Sequence, residues 1–231
     1  MIASITSKQY ILSHYQLGQS GIYKDFKALS SGKRINLAGD DPAGLAVSEK
    51  LTTMVNQIKT QSMNKEMLRD YYRMAEGAIA LNHGLVREIR AEMLKATSPL
   101  MGKQEKQYIQ AQIDQYLDQI DINAQFTQFN KKQVIAELSA AGLNLQNVSV
   151  TRDFYGSLKR VDTAMDLLVR RRAIKGIKSN VLEMEIKGKQ VYLLNATASL
   201  SRQLDADIAV RISALLQKNT LAKFQHGLFA Y

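Results

Sequence analysis

Apolar residues recur at heptad spacing through the first thirty residues. From residue 5 the register reads Ile5, Lys8, Leu12, Tyr15, Gln19, Ile22, Phe26 and Leu29, with only Lys8 and Gln19 polar. That is the seam of a helix that pairs with another helix. The seam stops at "SSGKRINLAGDDPAG", Ser30 to Gly44. Gly32 and Gly39 permit turns that a side chain hinders, Asp41 suits the cap of a following helix, and Pro42 fits its first turn. The pattern predicts a joint between two helices.

Beyond the joint, Leu45, Leu51, Val55 and Ile58 predict a helix to about residue 64. A longer helix follows, with a seam of Tyr72, Ala75, Ile79, Asn82, Val86, Ile89, Met93 and Ala96. "TSPLMGKQ", Thr97 to Gln104, reads as a reversal, because Pro99 disfavours a helical Ser98 and Gly102 relaxes the backbone. Ile109, Ile113, Tyr116 and Ile120 mark the next helix, ending before "FTQFNKKQ". Weak alternation between Val134 and Val150 predicts a short hairpin or irregular strand in "GLNLQNVSV". From about Tyr155 the helical period returns, with a seam of Ile174, Ile177, Val181, Met184, Gly188, Val191, Asn195 and Ala198. A helical face near the other end of the chain is placed at Ile208, Ile212 and Leu215.

The expected fold class is therefore all-α: long antiparallel helices, a coiled coil of the terminal helices, and a small irregular or hairpin segment at about 130–152. Composition agrees. Of 231 residues 45% are apolar, two are Pro and none is Trp or Cys. The absence of Cys removes disulfide staples and thiolate metal sites. No run reaches the roughly 18 apolar residues of a membrane span, and the N-terminus lacks the basic start and apolar block of a cleaved signal. No membrane partner is expected.

The net charge of +10 raises a nucleic-acid reading. Its densest source is "VRRRAIKGIK", Val169 to Lys178, where the cations are interleaved with Ile174 and Ile177. A solvated helix face outweighs a phosphate-binding patch, because no zinc-finger spacing, ribonucleoprotein aromatic motif or helix-turn-helix accompanies it. Catalysis is also disfavoured. His14, His83 and His226 are scattered, and no phosphate-binding loop or nucleophile elbow is present. Asp40 and Asp41 lack a nearby His or Glu and read as turn and capping residues rather than metal ligands. No cofactor is expected.

"LSSGKRINLAGDDPAGLAVSEKL", Leu29 to Leu51, resembles the N-terminal signature of bacterial flagellin, L-S-S-G-x-R-I-N-x-A-x-D-D-A-A-G-x-A-[IV]-[SA]-x. Leu29, Ser30, Ser31, Gly32, Arg34, Ile35, Asn36, Ala38, Asp40, Asp41, Ala43, Gly44 and Ala46 stand in register. "MAEGAI", Met74 to Ile79, resembles T-x-E-G-A-L, and "QIDINAQFTQFN", Gln119 to Asn130, resembles E-I-D-x-x-x-x-x-T-x-F-N. "SRQLDAD", Ser201 to Asp207, matches S-R-I-x-D-A-D, and "LLQKNTLA" resembles L-T-K-x-Q-I-L. There are departures: the family's run of Asn near the start is missing, and Lys131 stands where Gly commonly follows F-N. The chain also stops at "QHGLFAY", short of the usual A-Q-A-N-Q and V-L-S-L-L ending.

The resemblance implies a filament subunit that polymerises head to tail for motility. It implies inner terminal helices and connecting segments at residues 1–42 with 201–231, and a helical core at 43–200. The implied assembly seam is Ile5, Leu12, Tyr15, Ile22, Phe26, Leu29, Ile208, Ile212 and Leu215. The implied interdomain joint is Gly32, Arg34, Asn36, Asp40, Asp41, Pro42, Ser201, Arg202, Asp205 and Asp207. Implied partners are further copies of the chain, a flagellar export chaperone, and cap and hook-junction proteins, with export by the type III route to the exterior or the periplasm. A hook-filament junction protein, or a paralogue associated with the filament, is the alternative within the family. A basic helical nucleic-acid-binding protein is the alternative outside it.

"REIRAEMLK", Arg87 to Lys95, aligns with Q-R-V-R-E-L-x-V-Q, the segment of many flagellins that the animal flagellin receptor grips. Glu88 replaces the first Arg and Glu92 the Leu, while Gln112 stands where a partner Glu usually lies. By resemblance, those three receptor-contact positions are altered.

Overall fold

The computed structural model describes residues 2–229, with side chains described at 13, 16 to 24 and onward through 224. The elements are α1 (Ile2–Ser31), α2 (Pro42–Lys95), α3 (Lys103–Phe126), β1 (Gln128–Phe129), β2 (Lys132–Gln133), a single 3-10 turn (Ala136–Leu138), α4 (Phe154–Leu204) and α5 (Ile208–Phe229). The chain is mainly α-helical and forms two compact units, Met1–Thr60 with Gln190–Tyr231, and Gln61–Lys189.

In the second unit the core joins three helices and the irregular segment. Ile79, Val86, Ile89 and Met93 of α2 meet Ile113 and Ile120 of α3, Val161 and Leu168 of α4, and Ile135, Leu138 and Leu145 between them. The seam expected from Tyr72 to Ala96 is this core face, and its one polar member is fully buried. Asn82 donates to the Leu138 carbonyl at 3.0 Å and accepts from Asn123 Nδ2 at 2.6 Å, so a polar group in the core is matched by partners.

Three expectations need correction. The pause expected after residue 64 is absent, and α2 is one helix of 54 residues. The stretch between Lys59 and Met74 holds no Gly or Pro to stop it. The apolar seam gives way there to small buried residues, Ser62 and Ser179, and to ionic contacts with α4: Lys65 with Glu185, and Arg73 with Glu183 at 2.7 Å.

The hairpin lies earlier than expected. It pairs Gln128 with Gln133 and Phe129 with Lys132 around a two-residue turn, Asn130 and Lys131, whose φ values of 50° and 63° are those of a tight hairpin turn with left-handed backbone. "GLNLQNVSV" forms turns instead of strands, and its alternation records the burial of Leu143, Leu145, Val148 and Val150.

The α4 seam is the third correction. Ile174, Ile177, Val181, Met184 and Val191 are exposed, whereas Val161, Ala164, Leu168, Ser179, Leu182, Ile186 and Ala196 are buried. The helix carries two stripes. The buried one is partly Ala and Ser, which a search for large apolar residues passes over.

Candidate functional site

In the first unit, α1 and α5 run antiparallel against each other. Their contact is centred on charge. Asp25 of α1 is 1% exposed and accepts hydrogen bonds from Arg211 Nη1 at 2.9 Å and Lys218 Nζ at 2.5 Å, both from α5. Burial pushes this carboxyl up. The hydrogen bonds and charges of Lys218 and Arg211 more than reverse the effect and hold it below the ordinary value of 3.8.

Of the seam expected from the sequence, Ile22 and Leu29 of α1 and Leu215 of α5 are half-buried. Phe26, at 63% exposure, and the exposed Ile208 and Ile212 lie away from the helix contact, so the pairing within one chain is corrected to the faces of Asp25 and of Arg211 and Lys218. The side chains of Ile5, Leu12 and Tyr15 lie outside the described residues. A search for apolar heptads overlooks Asp25. Two signals mark it nonetheless: it is the only acidic residue before Asp40, and Arg211 and Lys218 stand one heptad apart.

The joint is built from both ends of the chain. Gly32 takes a left-handed φ of 67°, which ends α1 and turns the backbone toward the segment between α4 and α5. There Arg34 N donates to the Leu204 carbonyl at 2.6 Å, and Ala206 N to the Gly32 carbonyl at 2.9 Å. Lys33 and Asp205 form an antiparallel bridge. Arg34 reaches across with a second bond, Nη2 to the Gln203 carbonyl at 3.0 Å, and lies 3.5 Å from Asp41.

Each acidic residue of the joint has a local task. Asp40 accepts from the backbone N–H groups of Asn36 and Leu37 at 3.2 and 3.0 Å, and the hydrogen bond from Asn36, then that from Leu37, holds its carboxyl below the ordinary value. Asn36 Nδ2 donates to the Lys33 carbonyl. Asp41 caps α2 by accepting from Gly44 N at 2.8 Å, and Pro42 opens that helix. A Cβ on Gly44 would fall 2.3 Å from Asp41 Oδ2 and 2.8 Å from the buried Ile35. Ser201 donates to Asp205, and Asp207 caps α5 by accepting from Val210 N. Arg202 turns to Ser199 on its own helix, and Gly39, with no left-handed φ, is not required as glycine by the turn.

The three positions that the resemblance sets against the receptor-gripped motif lie in the second unit. Glu88 is exposed, Glu92 is buried and bound to Lys95 at 2.5 Å, and Gln112 donates to Tyr116 Oη at 3.1 Å. The hydrogen bond with Glu92 raises the Lys95 pKa above its ordinary value.

Part of the basic run serves internal contacts. Arg172 pairs with Glu76 at 3.3 Å, and Lys175 and Lys178 stand over the ring of Tyr72 at 5.6 and 5.4 Å. Among the described residues, no His, Cys, Asp and Glu cluster could hold a metal ion, and no helix is long and apolar enough to cross a membrane.

The family model of the bacterial flagellin N-terminal helical region matches residues 2–140. The chain is 27% identical to a flagellin of Bacillus subtilis over 95% of its length and 91% of that protein's. It is 26% identical to the flagellar filament core protein flaB2 of Brachyspira hyodysenteriae, covering 80% of the chain and 79% of the relative. Flagellin FlaB2 of Treponema pallidum is also 26% identical, with 87% and 84% covered.

Proposed function

The chain belongs to the bacterial flagellin family and is a structural subunit of the flagellar filament, not an enzyme; from this premise we propose that the joint is the hinge point between two filament layers. The subunit polymerises with copies of itself. The inner layer is formed by residues 1–42 with 201–231, and the next layer by 43–200.

The observation that carries this reading is the closure of the joint by both chain ends: Arg34 N to the Leu204 carbonyl and Ala206 N to the Gly32 carbonyl. Two separate helix breaks, 170 residues apart in the chain, are bonded to each other, as a connection between two layers requires both strands of the chain to cross together. The exposed Phe26, Ile208 and Ile212 support a further role for these helices in contacts between subunits, where their burial supplies the driving force. Head-to-tail contacts of different surfaces do not close on themselves, so they propagate into a helical fibre. Export in unfolded form by the flagellar type III route, a chaperone for the C-terminal segment, addition beneath a cap, contact with hook-junction proteins, and a final place outside the cell or in the periplasm complete the proposal.

The test is substitution in the seam. Phe26→Asp changes an exposed residue and leaves the monomer's melting curve intact, but it blocks filament growth, as does Leu12→Asp. Normal filaments from both variants would overturn the seam. Hydrogen exchange adds a second readout: amides of residues 2–40 and 205–229 gain protection on assembly, and equal protection in dilute monomer would overturn their ordering by polymerisation.

A further inference from the structure

The chain holds nine Met and no Cys or Trp, so thioether sulfur is its most readily oxidised side-chain group. In the second unit, burial sorts these sulfurs into two sets. Met93 is fully buried in the core, and Met101 and Met165 are half-buried against it. Met63, Met67 and Met74 of α2 and Met184 of α4 stand outside, at 66%, 57%, 41% and 69% exposure. Met54, also exposed, belongs to the first unit.

The outer set is not scattered. Spacings of four and seven residues put Met63, Met67 and Met74 on one face of α2. Before Ala75, where the buried core residues of that helix begin, α2 and α4 are joined by contacts that use no sulfur. Lys65 pairs with Glu185, Arg73 with Glu183 at 2.7 Å, and Lys189 donates to Gln61 at 2.6 Å, around the buried Ser62 and Ser179. A change of polarity at the exposed thioethers therefore leaves the contact between the helices in place. Helix formation does not call for sulfur at these positions either, since Leu serves a helix equally well.

We propose that Met63, Met67, Met74 and Met184 are modification sites that take up oxygen from hydrogen peroxide ahead of the core, so that the folded subunit consumes oxidant without losing its packing. In each event a sulfur lone pair attacks one peroxide oxygen. The S–O bond forms as the O–O bond breaks, sulfur gives up two electrons, and the second oxygen leaves as water after proton transfer, so thioether and peroxide become sulfoxide and water. Water solvates the polar sulfoxide on an exposed face. At Met93, which has no exposure, the same group would stand in the core without a partner. Exposure thus directs the reaction to the sulfurs whose oxidation costs the fold least.

Titration of the soluble wild-type chain with hydrogen peroxide tests the order of reaction, with mass spectrometry of each Met peptide reading the gain of oxygen. The four outer sulfurs are expected to react at least about tenfold faster than Met93, whose reaction waits on opening of the core. Circular dichroism of the chain oxidised at those positions is expected to match the untreated chain in helix content and melting midpoint. Comparable rates at Met93 and the outer four would overturn the proposal. So would a midpoint that falls while Met93 is still unoxidised.

A variant carrying Met63→Leu, Met67→Leu, Met74→Leu and Met184→Leu tests whether the outer set spares the core. The swap conserves volume and helix preference, and circular dichroism before oxidation checks that the fold matches the wild type. With peroxide limiting, Met93 and Met165 of the variant are expected to gain oxygen at a lower dose than in the wild type, and helicity to fall with them. An unchanged dose for oxidation of Met93 would overturn the proposal.

Discussion

Asp25 of α1 and Arg211 of α5, 186 residues apart in the chain, meet at 2.9 Å where the two terminal helices pack. Lys218 completes the contact from one heptad further along α5. A buried carboxylate held by two cations is a poor substitute for an apolar contact in stabilising power, but it accepts only one register of the two helices. Shifting α5 by one residue sets Val210 and Gln217, or Ile212 and Asn219, in place of the two cations.

Removing that carboxylate therefore weakens the pair. Asp25→Asn is expected to cost about 1–3 kcal/mol in the protection of α5 amides, toward the lower end because the Arg211 and Lys218 side chains remain 33% and 38% exposed. The pH dependence follows from the direction of the shift. A carboxyl held below its unfolded value contributes fully above that value, and the contribution fades as pH falls through the folded one. Hydrogen exchange of residues 211–218 is expected to show pairing that is constant from neutral pH down to about 5 and loosened below 3.8, with that acid step missing in Asp25→Asn.

Lys131→Gly is expected to stabilise the protein. Lys131 holds a φ of 63° in the hairpin turn, a backbone region that costs an L side chain about 1 kcal/mol or more and glycine little. Lys131 also stands where flagellins commonly have Gly, so the substitution restores the residue the turn prefers. Denaturant unfolding of the two proteins should show a gain of about 1 kcal/mol with unchanged slope.

Much of the fold was legible from periodicity alone, and the failures share a cause. The Tyr72 to Ala96 seam is correct because large apolar residues mark its buried face. The α4 seam is wrong because large apolar residues stand on both stripes of that helix: Leu168, Leu182 and Ile186 are buried, Ile174, Ile177, Val181 and Met184 are exposed, and the small Ala164, Ser179 and Ala196 that complete the buried stripe carry no apolar signal. In the joint, Asp41 and Pro42 perform the cap and first turn expected of them. Asp25 was hidden because a heptad search discards charge, although its isolation among the first 39 residues was visible. The bond between Arg34 and Leu204 is long-range, and no local pattern announces it.

Asn82→Leu is expected to destabilise the second unit in spite of its greater apolarity. It removes the donor to the Leu138 carbonyl and one of two acceptors of Asn123 Nδ2, which keeps the Ala78 carbonyl; the loss at the Leu138 carbonyl costs about 1–3 kcal/mol. Crowding by the branched side chain at a site with no exposure adds to that. Thermal melting should show a lower midpoint than wild type, and a rise would contradict the network's role.

The protein is expected to be a poor agonist of the animal flagellin receptor. Glu88 presents a carboxylate where the gripped motif has Arg, which turns attraction into repulsion. Glu92 adds no apolar contact, since it is folded inward onto Lys95. A reporter-cell assay with soluble monomer checks this, with activation at the concentration that suffices for a motif-bearing flagellin as the contrary result.

Electron microscopy of the purified protein after addition of filament seeds tests the central claim most directly. The account predicts helical filaments that lengthen with time at the seed ends and whose inner wall contains the paired α1 and α5. Seeds that stay at their original length in a solution of folded, monomeric protein would contradict it.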